Sequence, residues 1–407
     1  MSRPTGNARL RAARIAAGYP SQQALADALT ARGVPVGLRQ VRRWESDAPP
    51  LPQPDIRQAL VELLGRDPHE LGFSVPAEPV RRTVASALPP ADRGPLRTPS
   101  PLQPASAATD FLAVTRAHRR LYWTVAPATL HPAVSAHATL GGQLMDATAG
   151  LTRQGLATAL AESWLLAGRV EFFDLREPSR AGDTWVRALQ AAGEADDALF
   201  GAAVLAHMAF IPGWAGQHAA AAERMVAART YARRGPASPE FLAWLDAVEA
   251  ECETRCGNTR AALNLIARGE AVLAAGGDHM TPDWMDWFSP VRLAAFKGNT
   301  QLIAGHLPQA RETLLRVLEE LPEDEDKQRT VVLGDLAAVE AAAGRPEEAA
   351  AYAVSALLLL ERHWYATGLE RVRDARRALT PWQHEQCVRD LDDRLYGWGA
   401  VVSALAR

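Results

Sequence analysis

The sequence predicts an all-α protein with a small head, a proline-rich connection and a long body. Apolar residues recur at helical spacing in the head and the body, and no stretch rich in Val, Ile or Thr alternates with period two. Eight prolines fall between Pro76 and Ser106, a span of 31 residues with almost no apolar periodicity. With 407 residues, 48% of them hydrophobic, the chain is long enough for two or three packed domains.

Composition excludes several classes of protein. Charged residues make up 22% of the chain, mean hydropathy is -0.14, and no uncharged apolar run reaches about 18 residues, so we expect no membrane-spanning helix. The first ten residues, MSRPTGNARL, lack the pattern of a signal peptide. Three cysteines cannot form a disulfide framework in a chain of this size. We therefore expect a cytoplasmic protein.

Positive charge is concentrated in the head. Residues 1–45 contain eight arginines and two acidic residues, Asp27 and Glu45. Residues 1–106 carry a net charge of +5, so the rest of the chain sums to -8 and the total is -3. A basic head on an acidic body is typical of a unit that binds an anion, and nucleic acid is the commonest such partner of a small helical head. The alternative is a solvated arginine face.

Five short helical segments are predicted in the head, which we assign to residues 1–75. The residues predicted to face inward are Leu10, Ala13 and Ala17 in the first segment, Leu25, Ala26 and Leu29 in the second, Val41 and Trp44 in the third, Ile56, Leu60, Leu63 and Leu64 in the fourth, and Leu71 and Phe73 in the fifth. Gly18 is expected to end the first segment, and Ser21 to cap the second. Asp67-Pro68 begins the fifth, because proline is tolerated at the first helical position.

The third segment, residues 38–45, predicts a surface that contacts DNA. Its outward arginines match the major groove, where one arginine can hold guanine O6 and N7 with two hydrogen bonds. Glutamines at the start of the second segment lie where amides can hold phosphates. The predicted DNA contacts are Gln22, Gln23, Leu38, Arg39, Gln40, Arg42 and Arg43.

Four short motifs carry a family resemblance. They are Leu10-Arg11-x-x-Arg14, Ser21-Gln22-x-x-Leu25-Ala26, Val41-Arg42-Arg43-Trp44-Glu45 and Asp67-Pro68-x-Glu70-Leu71. Together they resemble the phage-repressor-like (Xre) helix-turn-helix family. The resemblance implies DNA contacts at Gln22, Arg39, Gln40 and Arg43 and structural roles for Trp44 and Glu45. One departure is an enlarged turn at residues 30–35, which leaves the angle of the third segment open.

The body, residues 107–407, is predicted to consist of helix pairs. Glycine-containing turns at Gly168, Gly213, Gly257, Gly305 and Gly344 are separated by 45, 44, 48 and 39 residues, each long enough for two helices and two turns. Alanines return after each turn, as close helix packing requires. The pattern resembles degenerate tetratricopeptide (TPR) repeats in an α-solenoid; an irregular helical bundle is the alternative.

The combination of head and body also resembles known regulators. An Xre-type head on a TPR-like body is similar to actinobacterial transcriptional regulators and, more distantly, to the peptide-responsive RRNPP regulators of other Gram-positive bacteria. The segment from Arg119 to His137 resembles the leading part of the actinobacterial body. By this resemblance the body forms a homodimer, receives a signal, or does both. A peptide, a small molecule and a protein partner all stay open as the effector.

One segment of the body differs in composition from the rest. Residues 279–288 concentrate two Trp, two Met and one Phe beside acidic residues, and such side chains line apolar pockets. The candidate effector-binding residues are Trp284, Met285, Trp287, Asn264 and Asn299, with Arg260 as a further polar anchor. The alternative is ordinary packing of a helix against its neighbours.

No motif predicts catalysis or a bound metal or other cofactor. Cys252 and Cys256 are four residues apart but have no second pair of ligands, and His131 and His137 are no better placed. No glycine-rich phosphate loop or nucleophile motif is present in the sequence. We expect a transcriptional regulator that binds double-stranded DNA and is not an enzyme. The alternative is a TPR-type scaffold for protein assembly with a vestigial head.

Overall fold

The structure, a computed structural model, describes residues 6–46, 49–68, 70–73, 103–104 and 106–405. Its contacts divide the chain into two compact units, Met1–Leu96 (the first unit) and Arg97–Arg407 (the second unit). The described residues form helices and turns and contain no strand, so the predicted all-α class is confirmed. None of their helices combines the length and apolar composition of a membrane span. The predicted linker, residues 76–106, lies outside the described residues except for positions 103, 104 and 106.

The described part of the first unit contains four α-helices joined by turns. They are α1 Ala8–Ala16, α2 Gln22–Ala31, α3 Leu38–Trp44 and α4 Pro54–Leu64. Ser21 caps α2 as predicted, because its Oγ accepts a hydrogen bond from the backbone N–H of Ala24 at 3.0 Å. Gly18 follows α1 with a φ of +85°, a conformation that favours glycine, so the predicted end of the first segment is also confirmed.

One apolar core holds the first unit together. Its buried residues are Leu10, Ala13, Leu25, Ala26, Leu29, Val36, Val41, Trp44, Ile56, Ala59, Leu60, Leu64, Leu71 and Phe73. The prediction for Ala17 is wrong: this residue lies beyond the last turn of α1 and is exposed, and Arg14 is buried on that side of the helix instead. The predicted fifth helix is also wrong, since the described part of residues 66–73 forms turns that end at Gly72, whose φ is +80°.

The second unit consists of helices that follow one another through short turns. They are α5 Ser106–Leu121, α6 Pro127–Met145, α7 Gly150–Arg169, α8 Pro178–Glu194, α9 Ala198–Trp214, α10 His218–Ala232, α11 Pro239–Arg255, α12 Thr259–Ala275, α13 Pro290–Ile303, α14 Leu307–Glu320, α15 Asp326–Ala342, α16 Pro346–Arg362, α17 Ala366–Ala378 and α18 Gln386–Leu405. From α7 to α15, each odd-numbered helix packs against the even-numbered helix that follows it and against the next odd-numbered helix. We call α7, α9, α11, α13, α15 and α17 the inner row.

Two of the five predicted glycine turns lie inside helices. Three glycines do follow a helix of the inner row with positive φ, and they are Gly257, Gly305 and Gly344. Gly168 and Gly213 are instead buried within α7 and α9. A Cβ atom on Gly168 would lie 2.3 Å from Nε1 of Trp185, so glycine is required there for close packing and not for a turn.

The helix α7 continues into a π-helical turn, Val170–Asp174. Such turns leave backbone carbonyls free for other donors. The indole N–H of Trp364 donates to the carbonyl of Asp174 at 3.1 Å, and the hydroxyl of Thr367 donates to the carbonyl of Phe173 at 3.0 Å. Because Thr367 belongs to α17, the π-helical turn connects the first helix of the inner row to the last.

Candidate functional site

The outer side of α3 is basic and exposed. Its exposed residues, which we call the α3 surface, are Arg39, Gln40, Arg42 and Arg43. Val41 and Trp44 on the opposite side are buried in the core of the first unit, because residues three apart share one side of a helix. The structure therefore brings together four of the seven predicted DNA contacts. Leu38, a fifth, is the first residue of α3 and is half-buried.

The side chains of the α3 surface have no partner within the described part of the chain. None of them takes part in an ion pair or a hydrogen bond with a described residue. Arginine is permanently charged and carries five N–H donors in a planar fork. The surface thus presents three positive charges and many unused donors to solvent, which suits an acceptor-rich anionic partner.

Arg14 shows the opposite arrangement in the same unit. Its Nε donates to Oε1 of Glu45 at 2.7 Å, and its Nη1 donates to the carbonyl of Tyr19 at 2.8 Å. Glu45 also accepts a hydrogen bond from Nε2 of Gln22 at 2.6 Å, and its carbonyl accepts one from the N–H of Asn7 at 3.0 Å. Glu45 therefore links α1, α2 and the end of α3, consistent with the structural role that the resemblance implies.

The two glutamines predicted to hold phosphates both have internal partners. Gln22 is half-buried, and its side-chain nitrogen is used by Glu45. Gln23 is exposed, and its Nε2 donates to Oδ1 of Asp27 at 2.7 Å. An exposed hydrogen bond is exchanged at little cost, so Gln23 can turn to a phosphate more easily than Gln22 can.

The enlarged turn before α3 is attached to α2. The N–H of Val34 donates to the carbonyl of Leu29 at 3.1 Å, and the N–H of Val36 donates to Oγ1 of Thr30 at 3.4 Å. Val36 is buried in the core of the first unit. Thr30 and Ala31 of the predicted turn belong to α2, and Val36, which follows the turn, is an apolar anchor between α2 and α3.

A cavity of about 120 Å³ lies in the second unit. All six helices or helix extensions of the inner row contribute to its wall, together with residues after α5 and before α13. Its aromatic lining residues are Tyr122, Trp123, Phe173, Phe210, Trp214, Trp244, Trp287, Phe288, Phe296 and Tyr365. Aromatic walls of this kind bind flat or cationic groups, and here the protein supplies its own cations.

The cations that line the cavity lie among these rings. They are Arg169, Arg292, Lys327 and Arg371. The ammonium of Lys327 lies 2.7 Å from Oδ1 of Asp174 and 3.7 Å from the centre of the Tyr122 ring. Burial lowers the pKa of Lys327 and raises the pKa of Asp174, although each charge favours the ionised form of the other.

The two arginines nearer the end of the chain also have close carboxylates. Arg292 lies 3.0 Å from Oε2 of Glu325. Arg371 lies 3.3 Å from Oε1 of Glu251 and 3.5 Å from Oδ1 of Asp335. The Arg371 pairs join α17 to α11 and α15, and the Arg292 pair joins α13 to the residue before α15, so all of them hold the wall of the cavity together.

The predicted effector residues separate into three groups. Trp287 lines the cavity, while Trp284 and Met285 pack into the core of the second unit beside it. Asn299 also lines the cavity and donates to Oδ1 of Asp335 at 3.1 Å. The structure does not bring Asn264 or Arg260 to this site, since both are exposed residues of α12 and neither lines the cavity. Residues 284–288 form turns and not a helix.

A buried histidine of α9 adds an acceptor to the cavity wall. His207 is 2% exposed, and its Nδ1 lies 2.8 Å from the carbonyl of Ala203. A carbonyl only accepts, so Nδ1 carries the proton and Nε2 is left with a free lone pair. Desolvation, reinforced by the nearby charge of Arg169, lowers the pKa of His207 to about 3, so the ring is neutral at physiological pH.

Sequence reasoning missed the charged residues of the cavity. Arg169 was predicted to lie in a turn, and Lys327 and Asp174 were not singled out. One signal was available for Lys327, which is one of two lysines in an arginine-rich chain. Among the described residues, no cluster of three or more His, Cys, Asp or Glu side chains could hold a metal ion.

Comparison with known proteins assigns no family to this chain. No family model matches the chain, and no curated protein matches it. Among solved structures, the chain is similar to BtubC (BKLC) from P. vanneervenii, with 15% identity and a TM-score of 0.40 over 58% of this chain and 92% of that chain. A similarity of this size assigns neither a fold nor a function.

Proposed function

We propose that this chain is a sequence-specific DNA-binding transcriptional regulator. Its first unit is an Xre-type helix-turn-helix head, and its second unit is a TPR-like helical repeat body that dimerises and receives a signal. The observation that carries the proposal is the α3 surface, which exposes three arginines and a glutamine without internal partners. An outward helix face of this chemistry suits the major groove of DNA.

The contacts divide into those that specify sequence and those that position the head. Arg39 and Arg43 are suited to guanine O6 and N7, and Gln40 is suited to adenine N6 and N7. Arg42 and Gln23 supply phosphate contacts at the edges of the surface, which add affinity on any sequence. Leu38, at the start of α3, can contact a thymine methyl group.

The body sets the spacing of two heads. Two copies related by a two-fold axis would bind half-sites about one helical turn apart or multiples of it. Consecutive helix pairs with a continuous inner row support a TPR-like body, because such pairs bury a shared core and leave one side for partners. The proposal includes a homodimer, and its operator is then a palindrome.

The proposal is tested by selecting duplexes from a random library with the full-length protein. We expect one enriched motif, and affinity for it that falls steeply as salt is raised. Arg39→Ala should cost about 1–3 kcal/mol of discrimination at one base pair, because a bidentate contact to a base is lost. Fluorescence anisotropy on the selected duplex and on its single-base variants measures this loss.

Arg66→Ala is the matched control. Arg66 is an exposed arginine of the same unit outside α3, so its removal changes the net charge equally. We expect the control to weaken selected and random duplexes to the same small extent. If Arg39→Ala loses the same affinity for the selected and the random duplex, Arg39 does not recognise a base. Absence of any enriched motif would instead favour the protein-assembly scaffold.

A further inference from the structure

Arg169 differs from the other cations that line the cavity. It is 6% exposed, at the end of α7, and the structure shows no hydrogen bond from its guanidinium to any described residue. Its nearest carboxylate is Asp286, at 4.0 Å, and Nε of Arg119 already donates to that carboxylate at 3.1 Å. The guanidinium is instead held over the rings of Tyr122 and Trp287, each 4.8 Å from Cζ.

The other cavity cations have closer carboxylates. Arg292 and Lys327 lie 3.0 Å and 2.7 Å from theirs. Arg371 has a carboxylate at 3.3 Å and a second at 3.5 Å. Among the described residues that line the cavity, the uncompensated positive charge is therefore that of Arg169.

A buried guanidinium without hydrogen bonds is unfavourable unless a partner arrives. Contact with aromatic faces recovers part of the cost of desolvation but leaves the five N–H donors unused. A carboxylate matches the planar fork of arginine with two parallel hydrogen bonds. The site therefore favours a ligand that carries one negative charge on a carboxylate group.

The other residues that line the cavity determine which uncharged part of that ligand fits. Trp244 and Phe210 are among the rings that line it, and a volume of about 120 Å³ leaves room for roughly one six-membered ring with small substituents. For scale, an engineered cavity of about 150 Å³ in another protein binds benzene. A flat ring stacked on aromatic walls is the shape that this lining favours.

His207 supplies a second polar contact within reach of the same ligand. The ring centres of His207 and Trp287 are 5.3 Å apart, and the Arg169 guanidinium lies on the Trp287 ring. The free Nε2 of His207 accepts a hydrogen bond, so it favours a ligand with an O–H or N–H on its ring. Both polar groups therefore lie near the Trp287 ring, where one small molecule can contact the two of them.

We infer that the cavity of the second unit binds a small aromatic carboxylate, with its carboxylate on Arg169, its ring among the aromatic walls and a ring donor on His207. This site does not depend on the proposed DNA binding, because its residues all belong to the second unit. It narrows the open choice of effector to a small molecule of this class.

The test is calorimetric titration of the full-length protein with 4-hydroxybenzoate, in the absence of DNA. The matched neutral probe is 4-hydroxybenzyl alcohol, which keeps the ring and the hydroxyl but lacks the charge. We expect one-to-one binding of the carboxylate and affinity for the alcohol that is weaker by roughly 10-fold to 100-fold, the range of a charge-assisted hydrogen bond. Equal affinities for the carboxylate and the alcohol, or no saturable binding of 4-hydroxybenzoate or benzoate, would overturn the inference.

Two variants assign the effect to Arg169. Arg169→Met should bind 4-hydroxybenzoate roughly 10-fold to 100-fold more weakly and leave the alcohol unchanged. Arg187→Met is the matched control, since Arg187 also lies over an aromatic ring, 5.0 Å from the centre of Trp164, but does not line the cavity. We expect the control to bind as the wild type does.

Stability separates a binding role from a structural one. Because the Arg169 charge has no close partner, Arg169→Met should melt at or above the temperature of the wild type. A lower melting temperature together with unchanged carboxylate binding would show that Arg169 is structural and would refute the inference. If Arg169→Met does not fold, Arg169→Lys replaces it, because lysine keeps the charge but lacks the planar fork, and it should bind 4-hydroxybenzoate more weakly than the wild type does. The preference of the wild type for the carboxylate over the alcohol tests the inference without any variant.

Discussion

The α3 surface and the cavity of the second unit use the same side chain in opposite ways. On α3, three arginines are exposed and have no partner within the described residues. In the cavity, three of the four lining cations have close carboxylates, and two of these three, Arg292 and Lys327, also lie over aromatic rings. The first arrangement leaves the charges available to a large partner, whereas in the second the ion pairs hold the helices around the cavity together.

The difference explains what each region can recognise. Exposed charges attract any polyanion over long range and are screened by salt. Buried charges that are already neutralised attract little, so a cavity lined by them discriminates through the one cation left without a close carboxylate. We expect substitution of the paired cavity cations to lower stability, and substitution on the α3 surface to weaken partner binding.

The largest effect is expected at the buried pair of Lys327 and Asp174. Lys327→Met should lower the free energy of unfolding by about 3–5 kcal/mol, because it leaves the Asp174 carboxylate buried without its cation. Urea unfolding followed by circular dichroism measures the change. The double variant Lys327→Met with Asp174→Leu should recover most of the loss, because neither charge of the pair is then left buried without the other.

Glu270→Gln provides the control for that pair. Glu270 pairs with Lys297 at 2.8 Å on the surface of the second unit, where both side chains are partly exposed. A surface pair contributes about 0–1 kcal/mol, so this variant should unfold almost as the wild type does. Similar losses for Lys327→Met and Glu270→Gln would mean that the cavity pair is no more important than a surface pair.

Acid should destabilise the second unit through His207. Desolvation, together with the charge of Arg169, lowers its pKa to about 3 in the fold from 6.5, so between these values the unfolded chain binds a proton that the folded chain does not. Stability is therefore full above pH 6.5 and is lost as the pH falls. Between pH 7 and pH 5 the loss from this residue should be about 2 kcal/mol.

His207→Gln isolates this contribution. Glutamine keeps a donor for the Ala203 carbonyl but does not titrate. The variant should lose about 2 kcal/mol less than the wild type between pH 7 and pH 5, measured by urea unfolding at each pH. His137, whose pKa is lowered to about 4 mainly by burial, is present in both proteins and cancels from the difference. Parallel pH profiles would show that His207 is not the source of the acid sensitivity.

The smallest effect on stability is expected on α3. Arg43→Met removes a charge with no partner in the described structure, so the free energy of unfolding should change by no more than about 0.5 kcal/mol. Thermal unfolding measures this change, and DNA binding measured on the same sample should weaken. A clear loss of stability would show that Arg43 has a structural contact and would weaken the comparison with the cavity.

Local features of the first unit were predictable from sequence. Ser21 is a cap and Gly18 ends α1 because such signals act within a few residues. The exposed face of α3 follows from the burial of Val41 and Trp44 at helical spacing. The assignment of that face to DNA stays a prediction that only binding experiments test.

The cavity was not predictable because its residues meet only in the folded unit. Tyr122 lies near the first helices of the second unit and Arg371 near the last, and spacing along the chain does not show that they share a wall. The prediction of a turn at Gly168 was wrong for a related reason. A glycine predicts a turn locally, but here it is required by Trp185, a residue of the following helix.

The π-helical turn at Val170–Asp174 makes chain length, and not only residue type, critical in the second unit. Each residue of an α-helix advances the chain by about 100°. Deleting one residue in this stretch would restore ordinary α register and rotate Asp174 away from Lys327 and Trp364. The contact between the two ends of the inner row would then lose both the Lys327–Asp174 ion pair and the hydrogen bond from the Trp364 indole. A one-residue deletion here should therefore destabilise the second unit even where every remaining side chain is kept.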